Sequence, residues 1–216
     1  QEIMMVIDHY MKSGEMVESP VFTEGMISEA SAIHESYPEY LARELKQKIL
    51  ETDDNPFDSE YFTNIEHADA REEPMREDSP CIILATSGML EGGPVLEYFK
   101  NIAPDKKNKV LFVSYQVNGT LGRRVLDGSK QATMLGKEGK VEVVTINCSV
   151  EKLDGFSGHS DYNQLMSFVQ RLRPKLRRVL VNHGERSKSE NLAMNIRRMY
   201  RVPAHYPQVQ EAIKLF

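Results

Sequence analysis

The stretch Cys81-Ile82-Ile83-Leu84-Ala85-Thr86-Ser87-Gly88-Met89-Leu90-Glu91-Gly92-Gly93-Pro94 reads as a strand, a glycine-rich turn and the start of a helix. The continuous apolar run suits a strand buried on both faces. Hydroxyls and glycines end it, and Pro94 is pre-set for an early helical position, with the helix running to about Ile102. The same unit recurs downstream. Lys109–Ser114 reads as a strand, and Thr120 opens a helix to about Leu126. Val141–Cys148 is a strand rich in β-branched residues. Asp161 with Gln164 forms a capping box for a helix to about Leu172. Arg178–Val181 is the next strand. Ser187 with Glu190 forms a second capping box, before a helix to about Arg201. The tail, Ala204 to Leu215, returns as a strand. Strands alternating with helices predict an α/β fold with a mostly parallel sheet flanked by helices.

Upstream, Ile3, Val6, Ile7, Tyr10 and Met11 make a helical stripe that Gly14 ends. Pro20–Thr23 is strand-like, Met26–His34 helical, and Pro38 starts a helix to about Leu50. Residues 51–79 hold eleven acids and two arginines, with Pro56 and Pro74, and read as surface loops and short turns. Their local net charge of −9 against −5 for the chain leaves +4 elsewhere. The basic residues cluster at Lys106, Lys107 and Lys109, at Arg123 and Arg124, and at Arg171, Arg173, Lys175, Arg177 and Arg178. An acidic flank beside a basic remainder suits a directed path for RNA, although any one cluster alone is more commonly a solvated face.

The 216 residues, 40% hydrophobic and 27% charged, allow one large domain or two small ones. No apolar run approaches the roughly 20 residues needed to span a bilayer, so no membrane partner is expected. Cys81 and Cys148 are expected as reduced, buried thiols of a cytoplasmic protein. The chain opens on Gln1 inside a helical pattern, so a segment of a longer polypeptide is expected.

Three features carry chemistry. His183 follows Val179-Leu180-Val181 and precedes Gly184; an imidazole at a strand end, with close backbone approach, suits a metal ligand. His159, in Ser157-Gly158-His159-Ser160-Asp161, sits before a helix start, and histidine is the side chain most used as a general acid. Each histidine alone is more commonly structural. Both, however, fall where open α/β sheets place ligands. The turn at Thr86, Ser87 and Gly88 offers hydroxyls and backbone amides to a phosphate. It lacks the Lys-Ser/Thr of a P-loop, and a plain tight turn would use similar residues.

Taken in order, Thr86-Ser87-Gly88-Met89 with Gly92-Gly93-Pro94, Tyr115-Gln116, Gly119-Thr120-Leu121-Gly122-Arg123-Arg124, Phe156-Ser157-Gly158-His159-Ser160-Asp161 and His183-Gly184-Glu185 resemble the β-CASP branch of the metallo-β-lactamase superfamily. The similarity is closest to archaeal homologues of the cleavage and polyadenylation specificity factor nuclease. It extends upstream through Gly25-Met26, Glu29-Ala30, Ala32-Ile33-His34 and Tyr37-Pro38-Glu39. The resemblance implies that residues 1–150 are a β-CASP domain and residues 151–216 the returning carboxyl-terminal part of a metallo-β-lactamase domain. It implies His159 as general acid or phosphate holder and His183 as a ligand to one of two zinc ions. Thr86, Ser87, Gly88, Ser157 and Gly158 are then RNA contacts, and Arg123 and Arg124 are further candidates for RNA binding. The implied activity is zinc-dependent endonucleolytic cleavage of RNA 3′ ends, with a 5′-to-3′ exonuclease action left open, in a homodimeric intact protein. The family's His-x-His-x-Asp-His run is absent here. One histidine does not hold zinc tightly, so this chain alone is expected to be metal-poor and nearly inactive. The alternatives are a non-catalytic RNA-binding or dimerisation scaffold of an RNA-processing complex, and a small-molecule metallo-hydrolase.

Overall fold

The computed structural model describes residues 1–52, 54–76, 80–136, 139–156 and 158–215. The chain divides into two compact units, Gln1–Ser157 and Gly158–Phe216.

The first unit opens with helix α1 (Glu2–Lys12), which buries Met4, Ile7 and Met11; of the expected stripe Ile7 and Met11 are buried and Ile3 half-buried, while Val6 and Tyr10 are exposed. Strand β1 (Val21–Glu24) follows, then α2 (Ile27–Ser36), α3 (Arg43–Glu51) and β2 (Phe62–Asn64). A short α4 (Glu73–Arg76) precedes β3 (Ile82–Ala85). These strands form a parallel sheet in the order β2-β1-β3, with Glu24 opposite Ala85 at one end. All of β1 is buried, as a central strand with both faces covered must be. Because β2 and β3 flank β1 on opposite sides, the connections diverge at the carboxyl ends of β1 and β3. That is where open sheets leave a crevice for ligands.

Helix α1 is also tied by charge. Asp8, 0% exposed, lies 2.9 Å from Lys12 Nζ and 3.7 Å from Lys48 Nζ, which reaches over from α3. Hydrogen bonds from Lys12 and Lys48 hold the Asp54 carboxyl below the usual carboxylate range.

The unit continues through α5 (Val95–Ile102), β4 (Lys109–Phe112), α6 (Leu121–Leu126), β5 (Gln131–Leu135), β6 (Val141–Thr145) and β7 (Ser149–Lys152). Strands β4 and β7 pair in parallel. Leu90, Phe99, Phe112, Leu121, Val125, Ala132, Met134 and Val144 share one core. The second unit comprises α7 (Tyr162–Leu172), β8 (Val179–Leu180), α8 (Arg186–Tyr200) and β9 (Ala204–His205), with β8 and β9 parallel. Its core gathers Met166, Val169, Val181, Ala193, Ile196 and Val202. The fold class is therefore the expected one: mixed α/β, with parallel strands and flanking helices. No helix of the described residues is long and apolar enough to cross a membrane.

Several elements differ from expectation. No single helix runs from Pro38 to Leu50. Pro38–Tyr40 is a 3-10 turn, and Leu41 and Ala42 are extended before α3 begins. Residues 51–79 are more than loops, because β2 lies within them. Phe57 and Ile65 bury there although acids surround them in sequence. The expected strand Val141–Cys148 stops at Thr145 as β6, and β7 begins only at Ser149. Strand β5 pairs antiparallel with β6, Ala132 opposite Val144, an alternation of buried and exposed positions set by that hairpin. The tail contributes only Ala204–His205 as strand. The capping box at Asp161 and Gln164 is present in full. The one expected at Ser187 and Glu190 is not: α8 starts at Arg186, Ser187 is inside it, and Glu190 pairs with Arg186 at 2.8 Å. Both cysteines are free thiols; Cys148 is buried, which pushes its pKa up, while Cys81 is half-buried.

Candidate functional site

In the first unit the candidate site is built at the carboxyl ends of β1 and β3. Gly25 leaves β1 at φ +92, and a Cβ there would collide with the Thr86 hydroxyl. Thr86 therefore stands against backbone at the crevice mouth. Directly before it, Glu24 is buried and accepts from Arg71 Nε at 2.8 and 3.1 Å and from the Tyr98 hydroxyl at 2.6 Å. Burial and the bond to Glu24 push the Tyr98 hydroxyl pKa well up, so it stays a donor.

The Thr86–Gly93 turn is held from within. Ser87 N–H donates to Gly92 O at 3.3 Å, Leu90 N–H to Ser87 O at 3.2 Å and Val95 N–H to Thr86 O at 3.1 Å. Leu90 (φ 55) and Gly93 (φ 77) are left-handed, the kind of backbone that turns neighbouring amides to one side. At Gly93 the absence of Cβ is required, since one would come within 2.8 Å of Thr86 O. Among the described residues, the backbone N–H groups of Gly88, Met89, Gly92 and Gly93 donate to no acceptor. They remain for solvent or an anion.

Helix α6 is fastened to this turn. Thr120 caps it by accepting from Arg123 N–H at 3.2 Å. Leu121 N–H donates to Glu91 Oε1 at 2.6 Å, and Gly122 N–H to Met89 O at 2.9 Å. The two arginines of this helix differ. Arg123 Nε is paired with Asp127 Oδ2 at 2.9 Å. Arg124 is exposed, and its guanidinium has no partner among the described residues.

In the second unit, Gly158 and His159 are exposed just before α7, whose amino end Asp161 caps. Ser157 lies outside the described residues. His183 follows β8 at φ 65, a conformation glycine adopts at less cost. Its N–H donates to Asn182 Oδ1 at 2.8 Å, while the ring is exposed and has no hydrogen-bond partner among the described residues. His205 is occupied by Glu211, Nε2 to Oε1 at 2.9 Å. Among the described residues no three His, Cys, Asp or Glu side chains are grouped to hold a metal. The described residues thus offer single candidate ligands.

The structure brings Thr86, Ser87, Gly88, Arg123 and Arg124 together in one unit, and Gly158, His159 and His183 within the other. It gives a role to Gln116, which the sequence marks only within the pair Tyr115-Gln116, and adds a group around Glu24 that sequence reasoning misses. Gln116, 1% exposed, binds under the turn, and Glu24, just before Gly25, gathers Arg71 and Tyr98. For the Glu24 group no local signal exists, since its members are 47 and 74 residues apart.

Residues 1–125 match the model of the Beta-Casp domain, and residues 143–207 that of the Zn-dependent metallo-hydrolase RNA specificity domain. The transcription termination factor FttA of Cenarchaeum symbiosum is 82% identical over 216 residues, covering 100% of this chain and 34% of that protein. Proteins of the same name from Pyrococcus horikoshii and Methanocaldococcus jannaschii are 45% and 44% identical over 215 residues, again covering 100% of this chain and 33% and 34% of theirs. The chain therefore spans about a third of the length of these relatives.

Proposed function

This chain belongs to the Beta-Casp family, and on that footing we propose that it is the RNA-binding and partial active-site portion of a zinc-dependent ribonuclease that cleaves RNA 3′ ends. Residues 1–150 are the β-CASP domain, and residues 151–216 return to a metallo-β-lactamase domain whose other parts lie outside this chain. The name of the relatives, transcription termination factor, fits an RNA substrate that is a transcript.

The observation that carries the reading is the Thr86–Gly93 turn, where among the described residues four amides and the guanidinium of Arg124, on the helix fastened to it, have no partner. Free amides and a guanidinium at the carboxyl edge of a parallel sheet suit a phosphate backbone. Thr86, Ser87 and Gly88 contact RNA phosphates, and Ser157 and Gly158 serve the same purpose beside His159. Zinc bound in the intact protein would supply Lewis-acid activation of the attacking water. His183 contributes one ligand to it, which accounts for a histidine kept in a left-handed conformation with a free ring. His159 donates a proton to the leaving oxygen or holds the scissile phosphate.

The test uses the intact protein. His183→Ala should lose zinc and activity together. His159→Ala should keep its zinc while activity falls about 10²–10⁴-fold. It should recover rate on RNA whose leaving oxygen is replaced by sulfur, because a thiolate departs without a proton. Zinc loss in the His159 variant would overturn its role as proton donor. Unchanged zinc in the His183 variant would remove it from the ligand set.

A further inference from the structure

We propose that Gln116 is a positioning residue that locks the Thr86–Gly93 turn to helix α6, so that the turn's amides and Arg124 meet one RNA strand as a single surface. This rests on the reading that the turn binds RNA phosphates.

Gln116 Nε2 donates to Gly88 O at 2.8 Å, and to Ser114 O and Ser114 Oγ at 3.2 and 3.3 Å. Its Oε1 is buried without a hydrogen-bond partner and abuts Gly122, where any Cβ would collide with it. The side chain is thus wedged between the turn on one side and α6 on the other. The bonds from Leu121 N–H to Glu91 and from Gly122 N–H to Met89 O close the same seam.

The peptide geometry gives the bond to Gly88 O a further consequence. Carbonyl and N–H point in opposite directions across a planar trans peptide. Drawing Gly88 O inward therefore aims the Met89 N–H outward, and that amide is among those left without an acceptor. A methionine would fill the same space with no orphan oxygen, and buried orphan oxygens cost stability. The glutamine does what methionine does not: it fixes the direction of an amide and the place of α6 relative to it.

The experiment measures single-stranded RNA binding by the intact protein and by its Gln116→Met, Arg124→Ala and doubly substituted forms. Each single change should weaken binding. The two together should weaken it by less than the product, with a shortfall of about threefold or more, as for residues within one network. Simple destabilisation by Gln116→Met would lower the folded fraction equally with or without Arg124, so strict multiplication of the two effects overturns the positioning role. If Arg124→Ala leaves the otherwise native protein unaffected, the phosphate-site reading itself fails and the positioning role falls with it. Should Gln116→Met not fold, Gln116→Glu decides. Its carboxylate repels Gly88 O but donates to it once protonated. Its RNA affinity relative to the native protein should then rise as pH is lowered from about 8 to about 5, a range that a buried carboxyl reaches. A flat ratio overturns the proposal.

Discussion

The turns Thr86–Gly93 and Asn182–Glu185 both leave a parallel strand and enter a helix, yet they are finished to different degrees. The first is bonded internally, backed by Gln116, and tied to α6 by two backbone donors. In the second, His183 N–H donates to Asn182 Oδ1 of the same turn, and the imidazole is left exposed. A site made of amides is completed by its own unit, because the donors are backbone and the backbone is folded there. A site made of side-chain ligands needs several chain segments at once, and the described residues of this chain provide no such set.

Gly122 is where this contrast breaks most readily. If the first turn is as tightly finished as its bonds indicate, Gly122→Ala should destabilise the first unit by about 1–3 kcal/mol, the usual cost of overpacking. Its Cβ would strike Gln116 Oε1 and come within 2.8 Å of Met89 O. Denaturant midpoints measure this, and a change near zero would mean that the seam is loose. A smaller effect separates the two arginines. Arg124→Ala should reduce the slope of log RNA affinity against log salt by roughly 0.7 for each phosphate that the guanidinium neutralises. Arg123→Ala should change it less, since Asp127 already engages that guanidinium. Equal slopes in both variants would show that the Asp127 pair does not matter to RNA. The smallest effect belongs to the second turn. His183→Gly relieves the left-handed residue and should raise thermal stability by about 0.5 kcal/mol, the left-handed cost less the entropy of glycine. A fall in stability there would mean that the histidine ring packs against something after all.

The strand-turn-helix unit at Ile82–Ile102 was legible because its signals are local: a continuous apolar run, glycines, then proline. The Asp161–Gln164 capping box was legible for the same reason, as both partners lie within one helical turn. Ser187 and Glu190 carry the same pattern yet form no box, because Arg186 competes for Glu190 and the helix starts early. Strand β2 was hidden by the acids around it, since its place is fixed by pairing with β1, 41 residues away in the register Val21 to Phe62. The histidines could be singled out by position and resemblance. What surrounds the Thr86–Gly93 turn could not, since Gly25 reaches Thr86 and Gln116 reaches Gly88 only through the folded sheet.

The β5–β6 hairpin carries a consequence for handling the chain by itself. Among the described residues its two strands pair only with each other, and the outward face sets Leu135, 71% exposed, beside Val141, 66% exposed, with Val143 next along it. The β6 edge, where Val141, Val143 and Thr145 carry β-branched side chains and no further strand pairs among the described residues, is a template for strand addition. Prepared alone, this chain should form concentration-dependent aggregates that begin at the hairpin, and a lysine in place of Val143 should delay them.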